Sequence, residues 1–356
     1  MDRLLEGKRI LITGGTGSLG KVLLRRLLSN RHGQPARLVV LSRDEGKQHD
    51  IRVQYQHKRA ATDEVIYRNF SERLEFRIGD VRDYHSVAGA LRDIDVVFNA
   101  AALKQVPTCE YFPFEAVRTN VEGPENIVRA IREQRLPVET VVGVSTDKAV
   151  EPVNVMGMTK AIQERIFLRA NLDVPSTRFV AVRYGNVLAS RGSVIPLFHD
   201  QIKNGGPVTI TDPRMTRFLL SLEEAVDVIM HAVAFGKRGE TYIPKVPTAL
   251  MTDVAKALID GRGIETVVTG IRPGEKLHET LISQEEAFRT VRRGEYFAVA
   301  PILPELRADA PGAAFLTRAY TSEHDLMSFD EVCALMVKRN LMVGQQDLAL
   351  DGEFLR

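Results

Sequence analysis

Short runs of consecutive apolar residues, separated by longer amphipathic stretches, organise the first half of the chain. The runs are Arg9-Ile10-Leu11-Ile12-Thr13, Leu38–Ser42, Leu74–Gly79, Asp95–Asn99, Thr140–Ser145 and Arg178–Tyr184. They lack polar alternation, as expected of strands covered on both faces in a parallel sheet. Helical patterns fill the gaps at Lys21–Leu28, 44–59, 113–134 and Met156–Asn171, while Arg59–Glu72 reads as a polar surface excursion. The alternation predicts an α/β fold, a Rossmann-type doubly wound parallel sheet. After Tyr184 the rhythm changes. Gly185-Asn186-Val187 opens a loop, Gly and Pro cluster at 204–213 and 270–274, and helical patterns return at 222–235 and 251–260. Residues 1–184 therefore read as the core, with elements near 208–245 returning to it. Residues 185–356 read mainly as a smaller mixed α/β lobe with a C-terminal tail.

The turn after the first strand, Thr13-Gly14-Gly15-Thr16-Gly17-Ser18-Leu19-Gly20, places glycine at every third position before a helix. A pyrophosphate needs this arrangement: a tight turn, close backbone approach, and free N–H groups at the positive end of a helix dipole. The core is thus expected to bind a nicotinamide dinucleotide. The second strand ends in Ser42-Arg43-Asp44-Glu45, with Lys47 close by. Arg43 suits the 2′-phosphate of NADP, whereas Asp44 keeps the ribose hydroxyl of NAD as the alternative. Asp80, with Val81 beside it, follows the third strand and either accepts the adenine amino group or caps a helix starting near Val81. Small residues at Asn99-Ala100-Ala101 let the dinucleotide pass over the sheet edge.

Bulk properties remove other classes. With 48 basic and 46 acidic side chains the net charge is +2, so no global field points to nucleic acid or membrane. Arg25-Arg26 and His57-Lys58-Arg59 read as solvated helix faces. The two cysteines, Cys109 and Cys333, lie far apart without metal-ligand spacing, so no metal is expected and a reduced, cytoplasmic setting is. The charged N-terminus lacks signal-peptide architecture, and no apolar run is long enough to span a membrane.

The fifth strand ends in Ser145-Thr146-Asp147-Lys148, and Met156 stands four residues before Lys160. Together with the glycine turn, Ser42–Glu45, Ala101–Pro107, Arg183–Val187, Ser190–Val194, Thr211–Arg217 and Arg272–Glu279, these residues resemble an extended short-chain dehydrogenase/reductase. The closer resemblance is to the UDP-N-acetylglucosamine 4,6-dehydratase branch of polysaccharide biosynthesis, over roughly residues 8–283. It implies that a tightly bound NADP takes a hydride from C4 of a nucleotide sugar, that water is lost across C5–C6, and that the hydride returns to C6. Asp147 would be the acid at C6 and Lys148 the base at C5. Thr146 would bind the sugar near its 4-hydroxyl, and Lys160 the nicotinamide ribose. The group that deprotonates the 4-hydroxyl is left open among Lys148, Asp147 through water, and Thr146. Met156 replaces the tyrosine usual in the superfamily; it cannot transfer a proton and is left as a substrate contact. Lys104 would reach the substrate, with a surface or capping role as the alternative. Asn186, Arg191, Arg217 and Arg272 would hold the diphosphate, Glu275 the nucleotide ribose and Val194 the base. The resemblance also implies a homo-oligomer, dimer or higher, pairing through the helices near 113–134 and 156–171. A 4-epimerase or reductase is the rival enzyme reading. A non-catalytic NADP-binding sensor is the rival from another class.

Overall fold

The computed structural model describes residues 3–56, 64–188, 193–307 and 315–344. The first elements are β1 (Arg9–Thr13), α1 (Ser18–Leu28), β2 (Arg37–Ser42), α2 (Glu45–Gln56), α3 (Glu64–Arg73), β3 (Leu74–Ile78), α4 (Tyr84–Ala90) and β4 (Val96–Asn99). Next come α5 (Val106–Tyr111), α6 (Pro113–Val117), a π-helical turn at Arg118–Glu122, α7 (Gly123–Gln134), β5 (Thr140–Val144), a 3₁₀ turn at Asp147–Ala149, α8 (Val155–Asp173) and β6 (Arg178–Val182). The later part holds β7 (Asn186–Val187), α9 (Val194–Lys203), β8 (Val208–Ile210), β9 (Thr216–Leu220), α10 (Leu222–Phe235), β10 (Thr241–Pro244), β11 (Thr248–Leu250) and α11 (Met251–Ile259). It continues with β12 (Thr266–Val268), β13 (Thr280–Ile282), α12 (Gln284–Ala287), β14 (Thr290–Arg293), β15 (Tyr296–Val299), β16 (Tyr320–Thr321) and α13 (Phe329–Lys338).

A nine-stranded sheet runs in the order β14-β15-β10-β6-β5-β4-β1-β2-β3. It is parallel from β3 to β10, with β15 and β14 added antiparallel at one edge. The chain order reverses at β1, which lies between β2 and β4, so a crevice opens where β1 and β4 end. Successive side chains of a strand feed opposite faces. Ile10 and Ile12 of β1 pack with Leu23 and Leu27 of α1 and with α10, while Leu11 packs with Val87 of α4, Ile127 of α7 and Phe167 of α8. A separate apolar cluster joins α9, α11 and α13 through Phe198, Leu258 and Met336.

Four local readings change. The polar stretch expected between helix and strand carries α3, because Ile66 and Phe70 recur one turn apart and are buried, Phe70 stacking on Tyr55 at 5.3 Å. Helix 113–134 is not continuous α-helix but is interrupted by the π turn. Arg25 is exposed as expected, but Arg26 beside it does not sit on a solvated face: both pair with Glu223, and Arg26 also reaches Asp227 at 2.7 Å, tying α1 to α10. Finally, the segment beyond Arg289 supplies two edge strands to the main sheet. The basic residues His57-Lys58-Arg59 lie outside the described residues.

Candidate active site

The ends of β1, β2, β4, β5 and β6 open into a cleft of about 1810 Å³, which continues between the loops and helices of the later part. At one end lies the glycine turn. Gly14 has φ +68°, and a Cβ there would stand 2.7 Å from the Ala101 backbone, so the turn closes on the end of β4 only without a side chain. Thr13 Oγ1 donates to Asn99 Oδ1 at 2.7 Å and accepts from the Ala101 N–H, locking β1 to β4 at this height. Gly17 is the N-cap of α1 and supplies no side-chain cap to its first turn, which contains Ser18, Leu19 and Gly20. Thr16, Ala100 and Val81 also line this end of the cleft. A helix N-terminus beside small residues fits a dinucleotide pyrophosphate.

Around the second strand end, Ser42 Oγ accepts from Thr16 Oγ1 at 3.1 Å. Arg43 is half exposed, with Asp80 3.7 Å away. Asp44 accepts the Lys47 backbone N–H at 3.0 Å and pairs with the Lys47 ammonium at 2.7 Å, which holds its carboxyl below the usual range. Asp80 is not a helix cap. Arg82 engages its carboxylate through both side chain and backbone, and Asp83 caps α4 instead, accepting from Ser86 N at 2.8 Å.

Midway along the cleft the 3₁₀ turn after β5 brings Thr146, Asp147 and Lys148 together. Thr146 Oγ1 donates to Asp147 Oδ1 at 2.9 Å. The Lys148 Nζ donates to the same Oδ1 at 3.1 Å and to Asn186 Oδ1 at 3.4 Å, and lies 3.0 Å from Glu279 Oε1. Asp147 Oδ2 and Glu279 Oε2 are buried without a hydrogen-bond partner. Burial pushes the Asp147 carboxyl up, and Glu279 adds to this against the pull of Lys148. Burial alone would strip the Lys148 ammonium, but Asp147 and Glu279 outweigh it and hold the proton on. Glu279 also loses solvent, yet Lys148 and Arg217 keep it ionised. In this resting arrangement Lys148 is an ammonium, so the expected base at C5 first has to give up a proton. On α8, Lys160 is buried and donates to Val144 O and Gln163 Oε1; desolvation pulls it down to about 7.

The model of the family described as "Polysaccharide biosynthesis protein" matches residues 10–301. The chain belongs to this family. It is an extended short-chain dehydrogenase/reductase of the type that modifies nucleotide sugars. A curated relative named UDP-glucose 4-epimerase, from Rickettsia bellii, is 43% identical over 297 residues, covering 82% of each chain. The solved structure of Pen from Bacillus thuringiensis is 33% identical with a TM-score of 0.83, covering 95% of this chain and 99% of that one. The fold is also that of DesIV, a dTDP-glucose 4,6-dehydratase from Streptomyces venezuelae solved with NAD, at 23% identity and a TM-score of 0.64 over 76% and 86% of the two chains.

In this family member Met156 is buried against Cys109, Ala116, Leu103 and Val106, an apolar cluster under the loop that carries Lys104. Lys104 and Val194 line the cleft, as does Asn186 on β7. Arg272 is exposed at the rim and pairs with Glu275 through Nε at 2.9 Å, so the two residues expected to meet different parts of a nucleotide meet each other in this state. Arg217, which lines the cleft, is a buried residue near the start of β9, and its guanidinium donates to the carbonyls of Thr216, Leu277 and Lys276. In this state it braces the loop before Glu279 and offers no open fork to a phosphate. Arg191 lies outside the described residues. Among the described residues no group of three or more His, Cys, Asp or Glu side chains could hold a metal ion, and no helix is long and apolar enough to cross a membrane.

Sequence reasoning missed Glu279 as a member of this cluster, although it closed one of the strings that carried the resemblance. No local pattern couples it to Lys148. The contact exists because the backbone of Glu279 is pinned to Ser322, with N donating to Ser322 Oγ at 2.9 Å and O accepting from Ser322 N at 2.8 Å. Thr119 and Ser145 were also overlooked. Both line the cleft with buried, unpartnered hydroxyls, Thr119 being presented by the π turn.

Proposed function

We propose that this protein is a nucleotide-sugar 4,6-dehydratase acting on UDP-N-acetylglucosamine in surface glycan biosynthesis, with NADP as a resident, recycled cofactor. The observation that carries this reading is the Asp147–Lys148 pair, a carboxyl pushed toward its protonated form beside an amine, where dehydration needs an acid and a base side by side. When bound, the dinucleotide supplies the hydride acceptor at C4 and the donor at C6. Asp147 gives its proton to the departing C6 hydroxyl. Lys148 accepts the C5 proton after releasing one of its own. Thr146 holds the sugar near the 4-hydroxyl, and Lys160 turns from Val144 O toward the nicotinamide ribose. Arg43, half exposed while Asp44 is engaged by Lys47, favours NADP over NAD. Asn186, Arg191 and Arg272 serve the diphosphate, with Arg217 behind them, while Glu275 and Val194 serve the ribose and base. Tyr111, Phe112, Phe114, Met158 and Ile162 are exposed on α5, α6 and α8 and their junction, which supports a homo-oligomer through that face. The two free cysteines fit a reducing cytoplasm.

A second reading, 4-epimerisation, is favoured by the name of the Rickettsia relative. Against it stands Met156, which leaves no phenol at the position where epimerases and reductases of the superfamily use one. Incubation of the purified protein with UDP-N-acetylglucosamine, followed by mass spectrometry, separates the readings. A product lighter by one water supports dehydration. A product of unchanged mass with altered C4 stereochemistry supports the epimerase. No product, with cofactor still tightly bound, leaves the sensor.

A further inference from the structure

Glu279 has no assigned part in the chemistry above, yet its carboxylate lies as close to Lys148 as that of Asp147: 3.0 Å against 3.1 Å. Both carboxylates are almost fully buried, with side-chain exposures of 2% and 1%. Each spends one oxygen on the same ammonium and keeps the other unpartnered. Two buried carboxylates sharing one cation cannot both be fully compensated, and the poorer-served one keeps its proton. The surroundings decide which that is. Glu279 also faces Arg217, with Nε 3.8 Å away, and is favoured by the charge of Lys276, whose Nζ donates to Val150 O at 2.6 Å. Asp147 has beyond Lys148 the Thr146 hydroxyl and a weaker pull from Lys276 than Glu279 receives. Asn186, the remaining partner of Lys148, is neutral.

We propose that Glu279 is a positioning residue of the reacting cluster: it competes with Asp147 for the Lys148 ammonium, so that Asp147 keeps its proton for the leaving hydroxyl and Lys148 has a carboxylate to which it can pass a proton. The proposal rests on the dehydratase reading for its use in catalysis, but not for the charge sharing itself. In the elimination, Glu279 takes one proton from Lys148 and leaves a neutral amine. The amine takes the C5 proton, and the C5–H electron pair moves into the C5–C6 bond. The C6–O bond breaks with the Asp147 proton going to the hydroxyl, which departs as water. The proton lost by the 4-hydroxyl in the earlier oxidation passes to bulk solvent at the cleft mouth. Once C6 has regained its hydride, Lys148 returns a proton to C5 and recovers its own from Glu279, and a solvent proton refills Asp147.

Two measurements test this on the purified holoenzyme. The first is infrared titration of the protonated-carboxyl band, assigned to Asp147 by its loss in D147N. In E279Q, with one anion gone, Lys148 pairs with Asp147 alone and the band titrates at lower pH than in wild type. An unmoved midpoint overturns the proposal, whatever reaction the enzyme performs. The second is the pH–rate profile with KM and kcat separated. Removing the Glu279 charge favours the anion at Asp147 and the neutral amine at Lys148, so both limbs move to lower pH. At the wild-type optimum kcat falls about 10- to 100-fold while KM changes little. E279D, which keeps the charge, returns the profile toward wild type, and E279A replaces E279Q in both measurements if E279Q fails to fold. A uniform loss of rate at every pH, with an unshifted profile, assigns Glu279 a merely structural part and also overturns the proposal. A shifted infrared midpoint in an enzyme whose product has not lost water retains the role of Glu279 and removes the dehydratase reading.

Discussion

A single side chain decides most at the end of β5. Lys148 meets two carboxylates and an amide, so its substitution removes a proton carrier without touching the glycine turn. K148A is therefore expected to lower turnover by about 10²- to 10⁴-fold while the dinucleotide stays bound; kinetics and the cofactor content of the purified variant check both halves. Loss of cofactor would reassign the residue. Arg43 is a separate case, because its nearest carboxylate is 3.7 Å away and the side chain remains half exposed. A charge-assisted contact to a 2′-phosphate contributes about 1.5–3 kcal/mol. R43A should weaken NADP binding about 10- to 100-fold and leave NAD almost unchanged, as read by titration calorimetry; equal losses for both would remove the NADP preference. Asp80 illustrates what residue-level reading could and could not do. Its place after β3 was legible, but that it does not cap the helix was not, because Asp83, three residues on, takes the helix N-terminus.

Elements carry these residues to the same place. The strands were legible because runs such as Leu38–Ser42 have no polar alternation, and their ends fall within two residues of the expected positions. The helix after the glycine turn was legible from its local pattern too, although it begins at Ser18, three residues before the expected Lys21. G14A is the expected breaker of that element. A non-glycine residue at φ +68° costs about 1–2 kcal/mol, and its Cβ would strike the Ala101 backbone at 2.7 Å. Released nucleotide measured by absorbance after denaturing the purified variant should fall to near zero, with the sheet retained by circular dichroism. The π turn at Arg118–Glu122 was not legible. Within it Asn120 accepts the Leu103 N–H at 2.8 Å and donates to Leu103 O and Thr159 Oγ1, fastening the Lys104 loop to α8. Those partners lie on two other elements, so no periodicity in 113–134 announces the extra residue. Packing of α8 on the catalytic turn is equally remote from local pattern: a Cβ at Gly157 would stand 2.1 Å from Lys148 O.

For the whole molecule, burial sets a pH dependence. Burial pulls the Lys160 ammonium down to about 7, against an ordinary value of 10.5. Between those values the unfolded chain binds the proton and the folded one does not, so stability rises as pH increases through this window; below it the full cost is present. Thermal melts from about pH 6 to about pH 10 should show this rise in the wild type and a flatter curve in K160M, with the variant more stable at the acid end. A parallel pair of curves would mean that Lys160 keeps its charge in the folded state. The exposed aromatic residues Tyr111, Phe112 and Phe114 beside Met158 and Ile162 belong to this scale too. Light scattering is expected to find a dimer or larger species, and F114D with I162D to shift it toward the monomer without changing the fold; a monomeric wild type removes the oligomer proposal.

The order of strands and helices in the first half, the glycine turn and the Asp147-Lys148 step were determined by the sequence itself, since each depends on neighbours a few residues apart. Tertiary structure alone decided what those groups experience. Pinning of the Glu279 backbone to Ser322 brought a second carboxylate onto Lys148, and the carbonyls of Thr216, Lys276 and Leu277 took up Arg217. The late strands β14 and β15 joined the main sheet against β10 for the same kind of reason. Protonation depends on desolvation and on charges a few ångströms away, and those distances are set by chain closure between segments too far apart for any local pattern to relate.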